Sequence, residues 1–396
     1  MTRVFLILFL AIASAGARDI HVEKDADAPT LAHAIKAAHP GDVIHLEPKV
    51  YRNYAGFYGK KGQPGKPITL DGHGATLEGS DPLDPAHWSE VSPGLFANDH
   101  LIARNDDAII GRWFFLWNGE MNHMGRTSKG RSAPLKKPEE LQPGEWTFVK
   151  DTSREKPPSK QIYGSFYLKL PAGQKLADAH IFAPVRSAGV QMSGDNAHLV
   201  IKNITATHPY NDGFNIHGDC RDVVFENIAA IECGDDGISA HESAQYRVDG
   251  FVSIGNSTGI TDTGTAQTSY TNVFLAKNIG FDLFFLDEGR YSLTNVLVLS
   301  SAQNPFTVTG RTTGDCRMKM TNVLVRRLVE PRMGSVALRA VVEAKNCTFE
   351  AMDVKVTGGT TWDNCVINGQ PQPAGSQAGG ADEKELLKLM PQGFKP

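Results

Sequence analysis

A degenerate repeat constrains the fold of this chain more than any other feature. Its marker is an asparagine followed by an apolar residue inside an alternating apolar strand. The markers are Asn203, Asn227, Asn272, Asn295, Asn322, Asn346 and Asn364. The first two lie 24 residues apart, and the later intervals run from 18 to 27, apart from one of 45 that holds an unmarked copy. A period of this length indicates a unit that cannot bury its own apolar face and must stack on its neighbours.

Each copy of the repeat is rich in β-forming residues. Val, Ile, Phe and Thr alternate with polar residues, and Gly, Asp and Asn mark the turns between them. The fixed leucines of a leucine-rich repeat are missing. We therefore predict an all-β chain folded as a right-handed single-stranded parallel β-helix. The repeated asparagines should hydrogen-bond from coil to coil as a ladder at an inner turn.

The sequence also predicts how the chain is divided. Residues 1–17 combine an early positive charge, a short apolar run and a small-residue end, which is the layout of a signal peptide. That run is too short to cross a bilayer, so we expect a secreted or periplasmic protein without a membrane span. Residues 18–369 should form the β-helix domain, with a capping helix near its N-terminus and a β-rich insertion at about 85–185. Residues 370–396 should form a C-terminal tail.

Composition excludes several functional classes. The chain has 40 basic and 44 acidic residues and a net charge of −4, so no concentrated basic face for nucleic acid is expected. Five cysteines without a CxxC pair make a structural zinc site improbable. Cys347 and Cys365 follow markers of the repeat and should either stack or pair. We expect a monomer without an organic cofactor.

Two consecutive coils carry the densest polar cluster in the sequence. Aligned on the repeat, Asn211-Asp212-Gly213 falls on Asp235-Asp236-Gly237, and His217 falls on His241. Residues in register in a parallel stack lie about 4.8 Å apart. We therefore expect Asp212 beside Asp236 in one open groove, with Asp235 alongside.

Three carboxylates held this close favour catalysis over ordinary structure. Like charges raise the pKa of one another, so one carboxyl should keep its proton near neutral pH and act as a general acid beside a general base. Splitting a glycosidic bond needs that pair. The predicted catalytic residues are Asp212, Asp235 and Asp236, and the predicted substrate-binding residues are Asn211, Asn215, His217, His241 and Glu242. Two alternatives are a set of Asp-Gly turns and a calcium site.

These coils resemble the active-site coils of the polygalacturonase-type glycoside hydrolases, which have the pectin-lyase-like fold. That family carries Asn-x-Asp-Gly on one coil and Gly-Asp-Asp on the next; here the first motif is one residue shorter, and Gly234-Asp235-Asp236 matches the second. The resemblance implies that Asp235 donates a proton, that Asp212 and Asp236 hold the attacking water, and that the product is inverted. The following Gly-His-Gly of the family reads Ser257-Thr258-Gly259 here, so the resemblance does not define the sugar.

Two other functions fit the same fold. A polysaccharide lyase or uronate epimerase would work on acidic glycans, and a lyase would make an unsaturated product that absorbs ultraviolet light. A non-catalytic carbohydrate-binding β-helix would lose nothing on mutation of Asp235. Asp262 and Asp282 on the next coils could extend the groove, although solvated charges at turns are the favoured interpretation of these residues. In every case we expect a polysaccharide or oligosaccharide as the partner.

Overall fold

A computed structural model describes the protein over residues 16–26, 28–101, 106–122, 136–153, 161–311, 315–329, 332–376 and 379–391. The predicted fold class is confirmed, because most strands stack in parallel into two long sheets that form the walls of a right-handed β-helix. All but the last two residues of the predicted signal peptide lie outside the described residues. Within the described part of the chain, no helix has the length and apolar character needed to cross a membrane.

The longer wall, sheet A, contains 14 strands. Its strands are Asp19–His21, Val43–His45, Val50–Tyr51, Ile68–Glu78, Ala197–Thr207, Arg221–Ile231, Gln245–Ile254, Gln267–Ala276, Arg290–Ser300, Arg317–Arg327, Val341–Glu350, Thr360–Asp363, Cys365–Ile367 and Gln370–Gln372.

The shorter wall, sheet B, contains nine strands. They are Ala55–Tyr58, Val190–Ser193, Phe214–Ile216, Asp236–Ala240, Thr258–Asp262, Phe281–Leu286, Phe306–Thr309, Gly334–Arg339 and Met352–Val356. Apolar side chains from both sheets fill the interior as one continuous cluster. Burial of this cluster stabilises each coil only when its neighbours are in place.

The predicted asparagine ladder forms. The side-chain amide of Asn227 donates to Asn203 at 3.0 Å, and Asn295 donates to Asn272 and Asn322 to Asn295 at similar distances. Every marker asparagine has a positive φ, which asparagine tolerates better than most residues. The prediction of an inner turn is wrong, because the ladder lies at bends within sheet A where these side chains are partly or fully exposed.

The β-rich insertion folds as two antiparallel four-stranded sheets. One contains Ser80–Pro82, Phe115–Trp117, Glu120–Asn122 and Ile181–Pro184, and the other contains Ser89–Ser92, Leu95–Asn98, Trp146–Lys150 and Gly164–Lys169. An aromatic core that includes Trp113, Trp146 and Phe166 holds the insertion together. It leaves the β-helix at Gly79, where a Cβ would lie 2.3 Å from the backbone nitrogen of Pro209, and it returns at Gly189.

In the described residues, three α-helices accompany the strands: α1 (Leu31–Ala37), α2 (Asp107–Arg112) and α3 (Glu383–Leu389). Short 3-10 helices span Pro85–His87, Pro138–Glu140 and Leu176–Asp178. Helix α1 packs Leu31 and Ile35 into the core near the first coils, and its role as a cap remains a prediction. In the tail, α3 packs Leu386 on the outer face of sheet A. All five cysteines are buried and form no disulfide, and the amide of Cys347 contacts Cys365 Sγ at 3.3 Å.

Candidate active site

The candidate site lies at the turn that leads from sheet A into sheet B on two adjacent coils. Phe214 pairs with Ile238 and Ile216 with Ala240, so the two coils are offset by 24 residues, as predicted. This register places Asp212 beside Asp236 and Asn211 beside Asp235. One carboxylate oxygen from each of Asp212, Asp235 and Asp236 lies within 4.8 Å of the others. We call these three residues the acidic cluster.

Asp212 and Asp236 are held by donors from the following coil. The backbone amide of Asp236 donates to Asp212 Oδ1 at 3.0 Å, and the Ser239 hydroxyl donates to Asp212 Oδ2 at 2.8 Å. Thr261 Oγ1 donates to Asp236 Oδ1 at 2.9 Å. Hydrogen bonds to ionised acceptors are among the stronger ones in proteins. They therefore fix the orientation of both carboxylates before any substrate binds.

Asp235 makes a different contact, with a residue from the insertion. Arg112, at the end of α2, places Nη2 3.0 Å from Asp235 Oδ2 and 3.2 Å from Asn211 Oδ1. Its Nε is buried without a hydrogen-bond partner, as is the Nε1 of Trp113. The insertion replaces the same turn on the preceding coil, so α2 lies over the turns that follow. The repeat gives no signal for this contact, because Arg112 lies outside it.

The acidic cluster is closed rather than open. Asp212 and Asp236 are each 2 % exposed, and Asp235 is 8 % exposed. The expectation of an open groove is therefore wrong. The physical reason is the insertion, whose arginine occupies the approach to Asp235. Asp235 remains the most exposed of the three.

The predicted substrate-binding residues divide into two groups. Asn211 touches Arg112, and Asn215 accepts a 3.4 Å hydrogen bond from Ser239, so both lie near the acidic cluster. His217 and His241 stack with ring centroids 4.0 Å apart, but they follow the ends of their sheet B strands. Five residues of extended chain separate Asp212 from His217, which corresponds to about 16 Å. The histidines therefore do not join the acidic cluster.

Glu242 belongs with the histidine pair. Its Oε2 lies 3.3 Å from His217 Nδ1 and accepts from the Gly218 amide at 2.7 Å. Burial alone would raise the pKa of the Glu242 carboxyl, but these hydrogen bonds lower it below its usual range. This second polar group presents donors and acceptors on the outer side of sheet B.

Asp262 and Asp282 do not extend the groove. Both side chains are fully buried inside the β-helix. Asp262 accepts hydrogen bonds from Tyr246, Thr268 and Tyr270, and Asp282 accepts from Ser300 and Asn278. Alternation from Ile260 could have revealed the inward direction of Asp262.

The acidic cluster has the spacing of a cation site but not its surroundings. A hard cation would bind carboxylate oxygens within such distances. Arg112 already supplies a positive charge to Asp235, and hydroxyl and amide donors occupy oxygens of Asp212 and Asp236. These contacts reduce the number of carboxylate oxygens that are open to a cation.

Fold and site together define a right-handed parallel β-helix protein with an acidic cluster covered by an inserted domain. No protein-family model matches the chain, and no curated protein matches it either. A solved structure described as a glycoside hydrolase is similar over 93 % of this chain and 99 % of its own, at 10 % identity and a TM-score of 0.52. This similarity shows the fold alone.

Two further solved structures are more distant in shape. XylC in complex with xylose matches 88 % of this chain and 75 % of its own, at 11 % identity and a TM-score of 0.44. The pectate lyase Pel9A matches 91 % of this chain and 82 % of its own, at 13 % identity and a TM-score of 0.45.

Proposed function

We propose that this protein is a carbohydrate-active enzyme that hydrolyses a glycosidic bond at the acidic cluster. The observation that carries the proposal is the convergence of Asp212, Asp235 and Asp236 from two coils, with oxygens within 4.8 Å. Glycosidic cleavage requires a carboxylic acid to protonate the leaving oxygen and a second carboxylate opposite it. Similarity of fold to a structure described as a glycoside hydrolase is consistent with this chemistry.

In this proposal Asp235 donates the proton, because it is the most exposed carboxyl of the cluster. Asp212 and Asp236, held by donors from Ser239 and Thr261, orient the attacking water. The neutral acid needed for donation and the ion pair with Arg112 exclude each other. The sugar must therefore displace Arg112 from Asp235, after which the guanidinium is free to donate to sugar oxygens.

The stereochemistry of the product is a direct consequence of carboxyl spacing. Inverting enzymes usually separate their carboxyl groups by about 6.5–9.5 Å, and retaining enzymes by about 5–5.5 Å. The nearest carboxylate oxygens of the acidic cluster lie within 4.8 Å of one another, which is shorter than the usual separation of inverting enzymes. A retaining route would use Asp212 or Asp236 as the nucleophile instead of holding a water. Proton NMR of the first anomer released would distinguish this from the inversion that the family resemblance implies.

The test begins with a panel of plant and algal glycans, read for new reducing ends and for ultraviolet absorbance. On a responsive glycan, we expect Asp235→Asn and Asp236→Asn each to lower turnover at least about 100-fold. Asp222→Asn, an exposed aspartate on the same coil, is the matched control and should turn over normally. Unchanged turnover in both cluster variants would remove the hydrolase proposal and leave a binding protein.

Arg112 favours a second candidate, a lyase acting on an acidic glycan. A cation beside the cluster could neutralise a substrate carboxylate, which a hydrolase of neutral sugars does not need. Ultraviolet-absorbing products that disappear in Arg112→Gln would establish this alternative. New reducing ends without absorbance would support the hydrolase.

We also propose that the protein acts outside the cytoplasm as a monomer. N-terminal sequencing of protein recovered from the periplasm or medium should begin close to Arg18. Recovery of the full-length chain from the cytoplasm alone would contradict export.

A further inference from the structure

A cavity of about 450 Å³ lies on the first coils, away from the acidic cluster. Helix α1 and the first strand of sheet B form its walls. Its lining includes Lys36, Asn53, Tyr54, Gly56, Tyr58 and Lys60. Two large aromatic side chains stay accessible here, since Tyr54 is 40 % exposed and Tyr58 is 61 % exposed.

Gly56 allows the two tyrosine rings to lie close to the backbone. Tyr54, Gly56 and Tyr58 point to the same side of their strand because side chains alternate. A Cβ on Gly56 would lie 2.7 Å from a ring carbon of Tyr58 and 2.9 Å from one of Tyr54. The rings therefore form a defined aromatic platform above a glycine floor.

Strand register along the outer face of sheet B relates the cavity to the candidate active site. Gly56 pairs with Gln191, Gln191 with Asn215, and Asn215 with Ser239, which holds Asp212. Each step between coils is about 4.8 Å, so Asn215 lies about 10 Å from Gly56 along the helix axis. A short oligosaccharide is long enough to span that distance. Asn215 is only 7 % exposed and Ser239 is fully buried, so the chain reaches the acidic cluster only once Arg112 is displaced as proposed above.

The charge of the cavity is one-sided. Among the described residues, its lining contains two lysines, Lys36 and Lys60, and no acidic residue. Lys60 Nζ donates to the backbone oxygen of Lys36 at 2.9 Å, which holds it at the edge of the cavity. Two cations beside aromatic rings would attract a sugar that carries an acidic group.

We propose that the Tyr54–Tyr58 cavity is a sugar-binding subsite that holds an acidic unit of the same glycan chain that reaches the acidic cluster. This inference rests on the proposed function for the identity of the ligand. The tyrosine rings stack on the sugar, and the lysines contact its acidic group. The subsite thereby anchors the chain about two coils from the carboxylates.

The experiment is titration calorimetry in an Asp235→Asn background, so that no ligand is consumed. The probes are oligogalacturonate and oligoalginate, with xylo-oligosaccharides of equal length as neutral controls. We expect an acidic probe to bind more tightly than the neutral ones. Tyr54→Ala and Tyr58→Ala should each weaken binding by about three- to tenfold. Tyr167→Ala, which changes a half-buried tyrosine in the insertion, should bind like the parent.

Gly56→Ala tests the geometry while keeping both rings. Its Cβ would displace them, so binding should weaken as in the tyrosine variants, with the melting temperature as a check on folding. Equal binding by the parent and all three variants would overturn the subsite, as would preference for neutral probes. Tyrosine-dependent binding without turnover by the wild type would remove the hydrolase proposal but keep the subsite. Turnover that needs Asp235 but not the tyrosines would keep the hydrolase proposal and remove the subsite.

Discussion

Two groups of aspartates lie on neighbouring coils and differ in the residues that contact them. The acidic cluster occupies an outer turn, and one of its members, Asp235, contacts an arginine from the insertion. Asp262 and Asp282 point into the β-helix and accept hydrogen bonds from tyrosine, threonine, serine and asparagine side chains. The inner pair, Asp262 and Asp282, has a structural role, because neutral hydrogen-bond donors surround both side chains within the core. The outer group keeps a charged partner that a substrate could replace.

The two environments also differ in electrostatics. Burial raises the pKa of Asp262 to about 7 and that of Asp282 to about 6, although the surrounding hydrogen bonds act to lower both. Each inner carboxyl therefore keeps its proton at pH 5 in the folded chain. A perturbed pKa alone would have identified these residues as catalytic, whereas their direction into the interior of the β-helix identifies them as structural.

The largest expected effect comes from removing an inner aspartate. Asp262→Ala leaves Tyr246, Thr268, Tyr270 and the Ala240 amide without their shared acceptor. At pH 5 we expect the free energy of unfolding to fall by about 3–5 kcal/mol, from unsatisfied donors and a cavity. Urea denaturation followed by circular dichroism measures the change.

The matched change in the outer group should cost little stability. Asp235→Asn keeps an oxygen for Arg112 and should lower the free energy of unfolding by less than about 1 kcal/mol. Its effect should fall on turnover. If Asp262→Ala were harmless and Asp235→Asn severely destabilising, the assignment of structural and functional aspartates would have to be exchanged.

The next effect is a dependence of stability on pH. The folded-state pKa values of Asp262 and Asp282 lie above the unfolded value of about 3.9. Between about pH 4 and 7 the folded chain binds more protons, so stability falls as the pH rises through this window. We expect Asp262 to contribute more of this loss than Asp282, because its folded-state pKa lies further above the unfolded value. Asp262→Asn should remove most of the pH dependence that Asp262 contributes, whereas Asp222→Asn should leave the plot of stability against pH unchanged. Equal slopes in both variants would contradict the assignment of this pH dependence to Asp262.

Sequence reasoning reached the parts of this molecule that repeat. The spacing of Asn203 and Asn227 predicts the coil, and the same offset correctly places Asp212 against Asp236. Arg112 could not be predicted, because its contact with Asp235 joins an aperiodic insertion to the coils across 123 residues of chain (235 − 112). Closure of the groove depends on that contact, so it could not be predicted from the sequence either. The inward direction of the Asp282 side chain could not be predicted either. Asp282 lies at a corner of its coil, where the alternation of inward and outward side chains is interrupted.

A smaller effect is expected at His208, which lies at the start of the turn that carries Asp212. Its ring nitrogens contact Glu78 at 3.0 Å and Glu232 at 3.1 Å. Burial alone would lower the pKa of His208, but the two glutamates raise it to about 9. This stabilisation is fully present below about pH 6.5 and is lost as the pH rises through 9.

The corresponding variant is His208→Gln. We expect it to lower the free energy of unfolding by about 2 kcal/mol at pH 6 and by much less above pH 9. Unfolding midpoints at the two pH values measure this difference. The window is higher than that of the inner aspartates, so the two contributions can be separated in one set of curves. A loss of equal size at both values would mean that His208 acts through packing alone.

The smallest expected effect concerns the contact between Arg112 and Asp235, which distinguishes the acidic cluster from the inner aspartates. A double-mutant cycle with Arg112→Met and Asp235→Ala, each of which removes the contact, should give a coupling energy of about 1 kcal/mol, because the pair is largely buried yet lies at the edge of the site. A glycan that displaces Arg112 should weaken this coupling, whereas one that binds elsewhere should leave it unchanged. Measuring the cycle with and without a glycan that the protein binds therefore tests displacement directly. A coupling indistinguishable from zero in the free protein would mean that the insertion does not control access to Asp235, and the outer aspartates would then differ from the inner ones by position alone.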